Sequence, residues 1–220
     1  MQVFSITKKG NRTEDNRDVI VELEKDNICL YMVLDGSSTR SGSGDYAKSL
    51  AKDIKEQFKN LTRDELLPRN IKGSINNILL CAHSSLRTKY PGASLSLVIL
   101  VTLMNKVALI FNLGDCALGR VCRDNSIAWL TVPHTLCRQP ISRLRNMPNS
   151  RNGLIRSFKA RRFEILDWVV RPFHPSNVYV LASDGYWEGH NSIAKEIKSV
   201  DEIELTEWDD DLSVCVVRNS

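Results

Sequence analysis

The chain has 220 residues, 42% hydrophobic and 25% charged, a balance that suits one globular domain with a full core. Its net charge of +4 is too mild to argue for a nucleic-acid partner. The longest apolar run, 95–104, is broken by Ser96 and Thr102 and falls far short of the ~20 residues that a membrane helix needs.

In chain order, strands are expected over 2–7, 18–24 and 28–34. Met1 to Thr7 has no basic segment leading into a long apolar stretch, so no signal peptide is expected. A helix follows over 45–59, where Tyr46, Ala47, Leu50, Ala51, Ile54 and Phe58 recur at helical spacing and Asp45 stands near the start as a cap. Thr62 and Glu65 have capping-box spacing for a short helix. A second amphipathic helix over 70–88 places Ile71, Ile75, Ile78, Leu79, Ala82 and Leu86 on one face, with His83 on the polar flank.

Further strands are expected over 94–103, 107–112, 117–122, 126–131, 163–170, 178–183 and 212–218, with a short helix at about 191–198. Two long helices between groups of strands point to α+β with antiparallel sheets rather than a doubly wound parallel sheet. No repeat, low-complexity tract or linker divides the chain, so 1–220 is expected to be a single domain. Six cysteines at 29, 81, 116, 122, 137 and 215 lack CxxC spacing. A chain with a full core needs no disulfides, and the cytoplasm is the expected compartment. Cys29 and Cys215 read as small buried hydrophobes.

The segment 133–162 carries seven arginines and little apolar periodicity before Leu154. It reads as a long flap between strands. Its arginines suit an acidic substrate, a phosphate or, more weakly, a nucleic acid. A solvated flap with no single partner fits at least as well, since no aromatics are interleaved within 138–157 to stack on bases.

Chemistry concentrates at three strand ends. The apolar runs 30–34 and 178–182 stop abruptly at Asp35-Gly36 and at Ser183-Asp184-Gly185, and a third run, 212–217, begins just after Asp209-Asp210-Asp211. An Asp at a strand tip has no packing role, and its use is to present a carboxylate at the sheet rim. Several such carboxylates gathered in space repel one another unless cations sit between them. Oxygen-only ligands suit Mg²⁺ and Mn²⁺, which points to a metal-dependent hydrolase. Taken singly, each Asp-Gly also reads as a turn, 209–211 as a solvated charge run, and Asp18 and Asp115 as turn residues.

The ordered set of motifs resembles the metal-dependent serine/threonine protein phosphatases of type 2C, in their short bacterial form. Asn16-Arg17-Asp18 is similar to that family's Asn-Glu-Asp, and Val33-Leu34-Asp35-Gly36 to its Val-Ala-Asp-Gly. Gly92-Ala93-Ser94 resembles Gly-Thr-Thr, Asn112-Leu113-Gly114-Asp115 resembles Asn-Val-Gly-Asp, and Asn152-Gly153-Leu154-Ile155-Arg156 resembles the segment before the later strands. Ala182-Ser183-Asp184-Gly185-Tyr186-Trp187 is close to Ser-Asp-Gly-Leu-Trp, and Asp210-Asp211-Leu212-Ser213-Val214 falls where the family has Asp-Asn-x-Thr-Val.

The resemblance implies a four-layer α/β/β/α sandwich of two antiparallel sheets flanked by helices. It implies two Mg²⁺ or Mn²⁺ ions per chain, with Asp35 bridging them and the Gly36 carbonyl binding one. Asp184 and Asp210 would complete the second site, Asp18 would hold water at the first, and Asp115 with Asp184 would suit a third, weaker ion. Asp35, Asp184 and Asp18 would then carry the hydrolysis of phosphoserine or phosphothreonine on a protein by activated water. The partner would be a phosphorylated protein, the opposing activity a serine/threonine kinase, and the chain a monomer with no nucleic-acid or membrane role.

Departures from the pattern are specific. The family's phosphate-binding Arg lies five positions before the first acid, whereas Arg12 lies six before Asp18, with Arg17 as its rival. Arg17 also replaces a Glu beside the metal site. Ser37 to Gly44 replaces Met-Gly-Gly without a His, and Cys116-Ala117 replaces Ser-Arg. These changes motivate a second reading, a catalytically weak or inactive type 2C-like module that binds phosphoproteins.

Overall fold

A strand covered on both faces must be apolar at nearly every position, and 28–34 and 94–103 meet that demand with continuous burial. The computed structural model describes residues 1–220 except 12, 105, 125, 137–152, 175, 189–208 and 219–220. Its strands are β1 (Gln2–Lys8), β2 (Asp18–Lys25), β3 (Ile28–Gly36), β4 (Ser94–Leu103), β5 (Val107–Leu113), β6 (Ala117–Val121), β7 (Ile127–Trp129), β8 (Phe158–Lys159), β9 (Asp167–Pro172), β10 (Val178–Ala182) and β11 (Leu212–Arg218). The helices are α1 (Ser43–Asn60), α2 (Ile71–Leu86) and the single-turn α3 (Asp184–Trp187).

Every pairing is antiparallel. One sheet runs β1-β11-β10-β6-β7 and the other β2-β3-β4-β5-β9, with β8 added to β4. The pleat sends alternate residues of a strand to opposite sides. Leu30, Met32, Leu34, Leu97, Ile99 and Val101 therefore meet Tyr46, Leu50, Ile54, Phe58, Ile75 and Leu79 of α1 and α2. Cys29, Tyr31, Val33, Val98 and Leu100 point the other way and pack on Tyr179, Leu181, Cys215 and Val217 of the facing sheet. Each large side chain buried this way contributes about 1.5–3 kcal/mol, and the five described cysteines are free.

The outer face of the β1–β7 sheet carries Val180, Ala182, Val214 and Val216, covered in part by Tyr186 and Trp187 of α3. The helix expected at 191–198 lies outside the described residues, as does Cys137. Among the described residues, no helix is long and apolar enough to cross a membrane.

Local differences from the sequence reading have physical causes. Gly42 precedes α1 without a side-chain cap, and Asp45 falls within the first turn, where it favours the helix dipole. The far end is closed from outside, because Lys25 Nζ donates to the carbonyls of Lys59 and Leu61. The Thr62–Glu65 box forms, with Thr62 N–H donating to Glu65 Oε2 at 2.8 Å. It organises a chain of turns instead of a helix.

The strand expected over 163–170 is split. Residues 163–166 alternate like a strand, yet Phe163 packs on the helical core and Ile165 is exposed. Pairing passes instead to β8 and β9. His83 is buried, not flanking solvent: its ring lies edge-on to Phe158 and Phe163 and meets the Lys159 carbonyl at 3.1 Å.

Candidate metal centre

Adjacent strands bring the first two acids together. Asp18 opens β2 and Asp35 nearly ends β3, and the antiparallel register sets them directly opposite each other, with Ser96 of β4 on the far side of Asp35. Cross-strand partners share a face with Cβ atoms about 4.5–5.5 Å apart, where like charges are destabilising. Asp18 is 5% exposed, and among the described residues neither of its carboxylate oxygens has a hydrogen-bond partner.

Asp115 arrives from the turn after β5. Gly114 there adopts φ +99°, and a Cβ on it would fall 2.1 Å from Ser96 Oγ. Only glycine suits both conditions. The turn is fixed from three sides. Gly114 N–H donates to His134 Nδ1 at 3.0 Å, Asp115 N–H donates to Ser96 Oγ at 3.2 Å, and Trp187 Nε1–H donates to the Asp115 carbonyl at 2.8 Å. Among the described residues Asp115 Oδ1 is buried without a partner.

Asp184 begins α3 as β10 ends. Gly185, next to it, lies so close to the neighbouring strand that an added Cβ would sit 2.2 Å from the Asp211 carbonyl oxygen. The result is a cluster in which carboxylate oxygens of Asp35, Asp115 and Asp184 all lie within 4.8 Å of one another. Asp210 lines the same cavity, of about 1110 Å³. Gly36 follows Asp35 with its N–H on the Arg17 carbonyl at 3.3 Å.

The electrostatics follow from this crowding. Burial raises the pKa of Asp35 well above the usual carboxylate range, and the charges of Asp18, Asp184 and Asp115 raise it further. Burial likewise raises Asp184, aided by Asp115 and Asp210. Burial also raises Asp115, against the pull of its Ser96 hydrogen bond. Asp18 is pushed up to about 7, by burial first and by Asp211 and Asp210 as like charges. A set of buried oxygen donors with orphaned lone pairs and mutual repulsion fits hard divalent cations. Asp35, Asp115 and Asp184 could hold such a cation, with Asp210 on the same cavity wall.

The two arginines fare differently. Arg12 lies outside the described residues. Arg17 is not among the residues lining the cavity. Its guanidinium donates to the carbonyls of Ser37 and Ser38 at 3.2 and 2.8 Å and pairs with Asp15. The guanidinium is thus held by the loop that follows β3.

Ser96 and His134 lie outside the motifs read for the site, whereas Trp187 and Asp211 lie within them but without the roles they take here. Ser96 and His134 hold the Asp115 turn, and Trp187 caps it from α3, its ring tilted against Trp129. Asp211, a neighbour of the cavity residue Asp210, accepts Gly10 N–H at 2.9 Å, Thr13 Oγ1–H at 2.7 Å and Arg17 N–H at 2.9 Å. It clips the loop before β2 onto β11. For Ser96 the visible hint is its polar interruption of an apolar run.

No protein-family model matches the sequence, and no curated protein matches it significantly. Solved structures do. The chain superposes on the serine/threonine phosphatase Stp1 from Staphylococcus aureus with TM-score 0.76 at 17% identity, covering 100% of this chain and 95% of that one. The PPM Ser-Thr phosphatase MsPP from Mycobacterium smegmatis, in complex with cacodylate, gives 0.75 at 18%, covering 100% and 99%. The catalytic domain of the phosphatase PstP, in complex with two manganese ions, gives 0.73 at 14%, covering 98% and 96%. The fold is therefore that of the bacterial PPM-type serine/threonine phosphatases over the full chain.

Proposed function

We propose that this chain is a metal-dependent phosphatase that hydrolyses phosphoserine or phosphothreonine on proteins and so opposes a serine/threonine kinase. The observation that carries the reading is the convergence of Asp35, Asp115 and Asp184 within 4.8 Å from three separate parts of the chain. The same acids that repel one another without cations supply the oxygen-only donor set that two Mg²⁺ or Mn²⁺ ions require. Asp35 with the Gly36 carbonyl, Asp18, Asp184 and Asp210 would hold the pair, and Asp115 with Asp184 a third ion. When bound, such ions supply an acidified water and offset charge on the phosphoryl oxygens.

The protein's own part is positioning. Six carboxylates line the cavity against three cationic side chains, so a phosphate dianion is repelled until the acids are neutralised. Ser96, His134 and Trp187 keep the Asp115 carboxylate from turning away, and Asp211 fixes the loop that delivers Asp18. The guanidinium of Arg17, the residue that motivates the non-catalytic module, is taken up by the Ser37 and Ser38 carbonyls and by Asp15, which supports this reading over that module.

The test is turnover of p-nitrophenyl phosphate and a phosphothreonine peptide in Mn²⁺, with calorimetric titration of the metal. Turnover is expected to vanish with EDTA and in Asp35→Asn. A folded protein that binds no Mn²⁺ at millimolar concentration, or turnover indifferent to both changes, would refute the proposal.

A further inference from the structure

The cavity that holds the acids has a second, oppositely charged wall. Arg40, Lys159 and Arg161 line it together with Pro91 to Ser96, and all three are exposed. Among the described residues no carboxylate pairs with any of them. Their placement follows from the pairing around Ser94. On one side the Ser94 carbonyl accepts Ser37 N–H at 3.0 Å, which sets the loop Ser37–Arg40 beside the start of β4. On the other side Lys159 is the ladder partner of Ser94, with Arg161 in the turn that follows. The cations therefore flank the end of β4 from both sides.

The spacing gives them a use. Ser96 pairs with Asp35 in the acid cluster, and Ser94 lies two residues further along the same strand, about 7 Å at ~3.3 Å per residue. An extended peptide advances by a similar step per residue. A peptide whose phosphorylated residue sits at the acids thus passes residues one to three positions away over the basic wall. Lone cations facing a shared cavity favour anions, and their attraction is felt most where the cavity narrows access to water.

We infer that Arg40, Lys159 and Arg161 form a subsite for a second negative group, and that the substrate is an acidic peptide, with Asp, Glu or another phosphorylated residue close to the scissile phosphate. The inference rests on the phosphatase reading and deepens it. It assigns the basic wall to sequence selection and leaves the acid cluster to the chemistry.

The test uses the intact chain with Mn²⁺ and three fluorescent phosphothreonine peptides, flanked by Asp and Glu, by Ala, or by Lys. Anisotropy is expected to give about tenfold tighter binding for the acidic flank than for the neutral one, as three partly exposed ion pairs support, and the preference is expected to fall as salt is raised. The variant R40Q/K159Q/R161Q should lose the preference, each single change losing part of it. The variant K52Q/K59Q/R63Q, with the same charge lost from exposed positions elsewhere, should keep it. Equal affinity for the three peptides, no binding at all, or a preference that survives R40Q/K159Q/R161Q would overturn the inference. Turnover of p-nitrophenyl phosphate, which has no flanks, is the separate readout. Turnover without flank preference sinks only the subsite, whereas acidic preference in binding without turnover sinks the phosphatase reading and supports the subsite.

Discussion

Replacing Asp211 by alanine removes three hydrogen bonds at once. Its carboxylate is 5% exposed and is the only acceptor identified for Gly10 N–H, Thr13 Oγ1–H and Arg17 N–H among the described residues. A buried donor left without a partner costs about 1–3 kcal/mol, and part of the sum is recovered because Asp211 also repels Asp18. Asp211→Ala is therefore expected to lose about 3–6 kcal/mol in the metal-free protein, a fall in Tm on the order of 10 °C for a chain of this size. Asp211→Asn keeps one acceptor oxygen but turns an amide N–H₂ toward a donor, so it should lose about 1–3 kcal/mol. Asp210→Asn is the control one residue away. Its oxygen can still accept Asp211 N–H, so Tm with EDTA should move by less than about 2 °C, the effect of a change near 0.5 kcal/mol, while Mn²⁺ binding weakens. Thermal melts with EDTA and calorimetric Mn²⁺ titrations separate the two. If Asp211→Ala melts with the parent, or if Asp210→Asn carries the stability loss instead, the division of labour between these neighbours is wrong.

Other consequences are equally direct. Gly185→Ala places a Cβ 2.2 Å from the Asp211 carbonyl oxygen; the strain of about 1–3 kcal/mol should shift Asp184 and weaken Mn²⁺ binding, and unchanged affinity would contradict the packing. His134→Ala removes the acceptor for Gly114 N–H, and a loss of about 1–3 kcal/mol is expected in denaturant titration. In the metal-free chain Asp18 has a folded-state pKa of about 7 against an unfolded value near 3.8. The folded form then binds more protons between those values, so its stability is full at low pH and is lost as pH rises through about 4 to 7, by up to about 4 kcal/mol. Burial of Asp35 and Asp184 adds to the same direction. Tm with EDTA should fall from pH 5 to pH 8, and saturating Mn²⁺ should abolish the fall; a rise with pH in EDTA would refute the sign.

The two long helices and nearly all strands were legible because burial imposes a period. α1 and α2 show one apolar stripe, and β3 and β4 are apolar throughout because each packs on helices with one face and on a sheet with the other. The split at 163–166 was illegible, since a covering loop that alternates core contacts with solvent writes the same pattern as a strand. Asp35 and Asp184 stood out because nothing apolar explains a carboxylate ending a buried run.

What the sequence determined by itself was the set of elements and the acidic ends worth bringing together. Their convergence was decided by register, which no local pattern encodes: Asp18 faces Asp35 only because β2 and β3 pair as they do, and Asp115 joins them only through the Gly114 turn held by Ser96, His134 and Trp187. The same long-range contacts split the Asp209–Asp211 triplet, sending Asp211 inward as a hydrogen-bond acceptor and Asp210 into the cavity. They also turned Arg17 aside and set Arg40 and Lys159 on either side of Ser94. Side chains take their roles from neighbours distant in the chain, and those neighbours exist only once the sheets have formed.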